Sequence, residues 1–123
     1  MNLYERLGGA EGVRALVDAF YDHMDRDPAV ATVRAMHPAD LRVAREKLYA
    51  FLSGWLGGPP LYIEKYGHPR LRARHLPFAI DVSARDQWMT CMRAALALHV
   101  ADVPLRLQLE DSFLKVADHM RNK

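Results

Sequence analysis

The run Gly67-His68-Pro69-Arg70-Leu71-Arg72-Ala73-Arg74-His75-Leu76-Pro77-Phe78 holds most of the chemistry this chain can offer, with Trp88 ten positions further on. His75 closes a basic segment, and Leu76-Pro77-Phe78 behind it stops a helix and supplies apolar cover. A histidine so placed can aim a neutral ring nitrogen at a flat, apolar, iron-bearing ligand. A haem site asks for an axial ligand, apolar walls and cations beside the propionates. Leu71, Leu76, Phe78 and Trp88 can form walls, and Lys47, Arg72 and Arg74 can supply charge. Residue types alone leave a second reading open, in which His75 is a surface histidine that helps close a helix.

Helices have to position these residues. Val13, Leu16, Val17, Phe20, Tyr21 and Met24 recur at three- and four-residue steps and predict an amphipathic helix ending near Asp27-Pro28. Gly8-Gly9 separates it from a short helix around Leu3 to Leu7. Leu41, Ala44, Leu48, Phe51, Leu52 and Trp55 predict another, stopped by Gly57-Gly58-Pro59-Pro60. Between Leu61 and Val82 periodicity is weak, and only a short helix from about Pro69 to His75 is expected. Ser83-Ala84-Arg85-Asp86 resembles a capping box and opens a helix carrying Trp88, Met89, Met92, Ala95, Leu96 and His99. Asp102 or Pro104 starts the last helix, with the stripe Leu109, Phe113, Val116 and Met120. No strand-like alternation is sustained. The expectation is an all-α chain with four substantial helices, a long loop and one short helix.

The length of 123 residues fits one domain over 1–123, with a radius of gyration of roughly 14 Å. Hydrophobic residues make up 50% and charged residues 26%, the balance of a water-soluble globular chain. No apolar run approaches the ~20 residues that cross a bilayer. The start, Met1-Asn2-Leu3-Tyr4-Glu5-Arg6, lacks the apolar core of a signal peptide, so a cytoplasmic protein is expected. The single cysteine, Cys91, excludes an intrachain disulfide and a multi-cysteine metal site. The net charge is only +2, and no aromatic residues interleave Arg70, Arg72 and Arg74, which argues against a nucleic-acid surface.

From Gly57 to Trp88 the chain resembles the truncated haemoglobins of the second group. Gly-Gly-Pro-Pro-Leu-Tyr, then Gly-His-Pro-Arg-Leu-Arg-Ala-Arg-His-Leu-Pro-Phe, then Ala-Arg-Asp-Gln-Trp stand very close to that family's pattern. Phe20-Tyr21 and Leu7-Gly8-Gly9-Ala10 extend the likeness over essentially the whole chain. The resemblance implies a shortened globin fold, a two-over-two sandwich of helices B and E on G and H around haem b. It implies His75 as the proximal iron ligand, Tyr21 as the distal tyrosine of the B helix and Trp88 as the G-helix tryptophan beside the haem. His37 falls at the first residue of the CD region, where relatives carry phenylalanine, tyrosine or histidine. There it can donate to a bound gas through one nitrogen, or coordinate iron as a sixth ligand.

Ala44 takes the distal position where many globins place histidine or glutamine, and its side chain forms no hydrogen bond. Leu48 and Phe51 complete the distal wall. Lys47, Arg72 and Arg74 are the expected partners of the propionates. Tyr62 and His68 support the segment leading to His75, with a propionate contact open to each. Cys91 reads as a small buried hydrophobe, and Met24, Met36, Met89 and Met92 as core filling.

Three functions compete. The first is reversible binding of O2, CO or NO at haem iron. The second is a haem redox enzyme, an NO dioxygenase or a peroxidase-like activity, which needs re-reduction by a separate reductase. The third is a cofactor-free helical interaction module, in which His75, Tyr21 and Trp88 do only structural work. The chain carries no flavin or nicotinamide domain, which favours binding over self-sufficient catalysis.

Overall fold

The computed structural model describes residues 1–123, which form helices and no strand. A short helix α1 spans Leu3–Arg6, where the Asn2 side chain accepts a hydrogen bond from the Glu5 amide. The long helix α2, Gly9–Arg26, follows almost at once. The turn between them is tight: a Cβ at Gly12 would stand 1.7 Å from the Leu7 carbonyl oxygen, so only glycine fits. A 3-10 turn over Pro28–Val30 and a short α3, Ala31–Ala35, lead to α4, Arg42–Trp55. Then come two short helices, α5 (Leu61–Tyr66) and α6 (Leu71–His75), and two long ones, α7 (Val82–His99) and α8 (Val103–His119).

Helix α2 buries Val13, Leu16, Val17 and Phe20 completely and packs chiefly on α7, whose Met89, Met92 and Leu96 face it. Helix α8 adds Leu109 and Phe113 against α7, while α4 packs on α2. The result is one pair, α2 and α4, laid over a second, α7 and α8: the two-over-two sandwich expected. Each large apolar side chain removed from water here contributes roughly 1.5–3 kcal/mol against the entropy of ordering the chain.

Helix α4 is held differently. It buries Leu52 and Ala50, but Ala44, Leu48 and Phe51 are only half covered and form one flank of an open wall. Its seat on α2 is reinforced by Arg45, which bridges Asp18 at 3.0 Å and Asp22 at 2.8 Å.

Three expectations need correction. The 61–82 stretch contains two helices, not one, because Pro60 is compatible with the entry to a helix and Gly67, at φ +80°, ends it. The helix before His75 begins at Leu71, not at Pro69, since Pro69 and Arg70 form its entry turn. Helix α7 is capped by Asp81, whose carboxylate accepts from the Ala84 amide, so Ser83 lies inside the first turn and there is no capping box at Ser83. Helix α7 carries His99 as expected, exposed at its last position. The ends of α2 and α4 and the Asp102 start of α8 fall as expected.

The far ends of α7 and α8 are joined by charge. Arg85 pairs with Asp118 at 2.7 Å, and Arg121 with the same carboxylate at 3.3 Å. Hydrogen bonds from these guanidinium groups hold the Asp118 carboxyl below its ordinary range. The unfolded state therefore binds more protons than the native state near the carboxylate pKa of about 3.9. The stabilisation is complete above that pH and is lost as pH falls through the lowered native value. In acid titrations followed by helical circular dichroism, Asp118→Asn is expected to be less stable at neutral pH and to lose less stability than wild type as pH falls below 4, the ordinary carboxylate range.

Candidate functional site

His75 is the last residue of α6, half-buried, with its Nδ1 2.6 Å from the Leu71 carbonyl oxygen. A carbonyl can only accept, so Nδ1 carries the proton, and in the neutral ring Nε2 is the lone pair. This is the tautomer a metal-ligating histidine needs, set by its own helix. Leu71 is half-buried against the core beside it; Phe78 is 38% exposed, and Leu76, expected as a wall, is 57% exposed.

A second group of side chains comes from α2, α7 and the α3–α4 turn. The Tyr21 ring stands edge-on to His37, with centroids 5.9 Å apart, and edge-on to Phe20 at 4.9 Å. Phe20 contacts Trp88 at 5.1 Å, so one aromatic row orders all three distal candidates. The Tyr21 hydroxyl and the Trp88 indole N–H bond to no protein group, yet neither is a sealed, unpaired atom. Both donors therefore open on accessible space. Burial pushes the Tyr21 hydroxyl well above its ordinary pKa, so it stays protonated.

His37 is half-buried and repeats the pattern of His75. Its Nδ1 is 2.9 Å from the Val33 carbonyl oxygen, which again leaves Nε2 as a lone pair. Its pKa is lowered, first by burial and further by the charges of Arg34 and His75. Ala44, Leu48 and Phe51 of α4 are half-covered apolar side chains packed against the core.

The cations separate. Arg74 donates from Nε to the Pro69 carbonyl, and its guanidinium carbon lies 5.9 Å from the Tyr62 ring centre. Lys47 reaches to 5.6 Å from the Tyr66 ring. Tyr62 and Tyr66 are in contact at 4.8 Å, so Lys47 and Arg74 approach the same aromatic pair, Lys47 over Tyr66 and Arg74 over the buried Tyr62. Arg72 goes elsewhere: its Nη1 donates to the carbonyls of His119 (3.0 Å) and Arg121 (2.6 Å) at the end of α8. His68 is exposed and accepts from the Arg70 amide at 3.1 Å, a turn contact of its own loop.

A groove of about 700 Å³ runs between α4, α6 and α8, floored by Phe51, Leu71, Val116 and Met120 and rimmed by His68, Arg72 and other basic side chains; His75, Tyr21, His37 and Trp88 are not part of its lining. Its size is that of a site for an organic ligand. Free lone pair, open donors, half-covered apolar wall and paired cations all fit haem as the group these residues would hold.

Comparison with known proteins decides the family. Residues 2–122 match the family described as bacterial-like globin. The chain is 44% identical over 93 residues to the group 2 truncated haemoglobin YjbI of Bacillus subtilis, a match covering 76% of this chain and 67% of that one. The chain belongs to the group II truncated haemoglobins. Its fold superposes on the cold-adapted truncated haemoglobin of Pseudoalteromonas haloplanktis with a TM-score of 0.98, at 47% identity over 100% of this chain and 99% of that one. On the group II 2-on-2 haemoglobin of Agrobacterium tumefaciens the TM-score is 0.95, at 44% identity over 99% and 95%.

Sequence reading of this truncated haemoglobin placed Val116 and Met120 in the stripe of α8 but missed that they floor a groove. It also missed Tyr66, whose pairing with Lys47 depends on the unforeseen α5. Cys91 is fully buried within α7, as expected, and burial pushes its thiol up to about 11. A thiol so placed is neither a thiolate nor reachable. Native protein treated with a chromogenic disulfide reagent at mildly alkaline pH is expected to release no colour until denaturant is added; prompt reaction would show that α7 opens readily.

Proposed function

We propose that this truncated haemoglobin holds haem b through His75 Nε2 and binds O2, CO or NO on the face lined by Tyr21, Trp88 and His37. The supporting observation is the hydrogen bond from His75 Nδ1 to Leu71, which leaves Nε2 as the free, unprotonated donor atom at the end of α6. Haem held there would supply the metal centre at which diatomic gases can bind reversibly. Everything else is the task of the chain.

Tyr21 offers a hydroxyl that burial keeps protonated, and Trp88 an indole N–H; both would be available as donors to a polar ligand. Ala44 adds none. His37 has a different part. Neutral through burial and with its one proton on Val33, it presents a lone pair. It would therefore accept a hydrogen bond or serve iron as a sixth ligand, and would not be placed to donate to a gas. Lys47 and Arg74, beside Tyr62, are the cations for the propionates, whereas Arg72 serves the end of α8.

The His37 lone pair also supports the second reading, peroxidase-like chemistry with a separate reductase. An unprotonated Nε2 beside the ligand face can take a proton from hydrogen peroxide. Peroxidase turnover that disappears in His37→Leu would support it.

Absorption spectra of the purified ferric, dithionite-reduced and CO-treated protein test the binding function. Wild type is expected to give a histidine-type carbonyl spectrum that His75→Ala loses; no haem absorbance in either protein after reconstitution would overturn it. Tyr21→Phe removes one charge-assisted hydrogen bond, so O2 dissociation should quicken by about tenfold or more. An unchanged rate would remove Tyr21 from the ligand face.

A further inference from the structure

Helix α6, which presents His75, cannot hold itself. It has five residues, far below the ~12–15 at which isolated helices become even marginal in water. It packs extensively on no other helix. Its entry residue, Arg70, takes a left-handed φ of 47° without being glycine, which adds strain. If α6 frays, the Leu71 carbonyl leaves His75 Nδ1, and both the tautomer and the direction of Nε2 are lost.

What holds the segment is the stretch after α8. The Asn122 side-chain amide uses both of its ends on it. Oδ1 accepts from the Ile80 amide at 2.9 Å, and Nδ2 donates to the carbonyls of Phe78 at 2.8 Å and His75 at 3.3 Å. The Asn122 backbone amide donates in turn to the Ile80 carbonyl at 2.9 Å, which makes the contact reciprocal. Arg72 closes the other side of α6 through its bonds to His119 and Arg121. Amide orientation is settled by the partners, because the Ile80 N–H can only donate while the Phe78 and His75 carbonyls can only accept.

We infer that Asn122 is a positioning residue for His75: it fixes the backbone at the carbonyl end of α6 and so sets the direction in which the imidazole meets iron. The inference rests on His75 being the iron ligand. It predicts that Asn122 governs the iron–histidine bond while leaving the gas-binding face untouched.

The test is resonance Raman spectroscopy and haem transfer to an acceptor apoglobin, on the haem-loaded wild type, Asn122→Ala and Asn122→Asp. Asn122→Asp keeps the acceptor for Ile80 but sets a carboxylate against two carbonyls, so it loses the donor half alone. In both variants the ferrous iron–histidine stretching band is expected to broaden and move to lower frequency. Haem loss should be about tenfold faster, the effect of roughly one buried hydrogen bond. The C–O stretch of the carbonyl form, which reads the Tyr21 and Trp88 side, should not move. An unchanged band and rate in both variants would overturn the inference, even where melting temperature falls. So would a C–O stretch that shifts together with the iron–histidine band, because that reports general loosening. A wild type without any iron–histidine band would contradict the ligation itself, and is distinguished by the same spectrum.

Discussion

The site depends on the hydrogen bond between His75 Nδ1 and the Leu71 carbonyl oxygen. At 2.6 Å it is short, and it joins the first and last residues of the same five-residue helix. The bond selects one tautomer of one imidazole and leaves the other nitrogen as a lone pair. A histidine with the opposite tautomer would present an N–H to the same space and could not ligate a metal. The helical register from 71 to 75 is therefore a chemical constraint as much as a structural one.

The rest of the structure can be understood as supplying what so small a helix lacks. The α2–α7–α8 core is dense and fully buried, and it carries Tyr21 and Trp88 on a rigid frame through the contacts of Phe20. Helix α4 is seated on that frame by Arg45 and leaves Ala44, Leu48 and Phe51 half covered, an arrangement suited to receiving a flat apolar group. The proximal segment has no such frame. It is bridged to the end of α8 by polar bonds, through Arg72 on one side and Asn122 on the other. Stability thus resides in α2, α7 and α8, while the segment bearing His75 is the part that local opening reaches first.

Much of this was legible in the sequence, and the reasons are particular. Helices α2 and α4 announce themselves by apolar steps of three and four and by Gly or Pro punctuation at their ends. Helix α5 did not, because six residues give too few repeats to show a period. The start of α7 was misplaced by two residues because Asp81 and Ser83 are both good caps, and only the three-dimensional turn chooses between them. At the site, the residue types from His75 to Trp88 were visible, but their tautomers were not, since these follow from where the Leu71 and Val33 carbonyls point. Arg72 and Arg74 looked equivalent. On a helix, residues two apart face opposite sides, and here Arg72 turns to the end of α8 while Arg74 turns to Pro69 and Tyr62. Asn122 had no signal at all, because its partners lie 42 and more residues away in the chain.

The central claim is that His75 meets its ligand through an unprotonated Nε2 while Nδ1 keeps its proton. A long-range proton–nitrogen correlation spectrum of the diamagnetic ferrous carbonyl protein reads both nitrogens of every histidine ring. The expected result is a His75 ring protonated at Nδ1 only, with Nε2 displaced by coordination to iron. A His75 ring carrying its proton on Nε2, with the nitrogen shifts of a free imidazole, would contradict it.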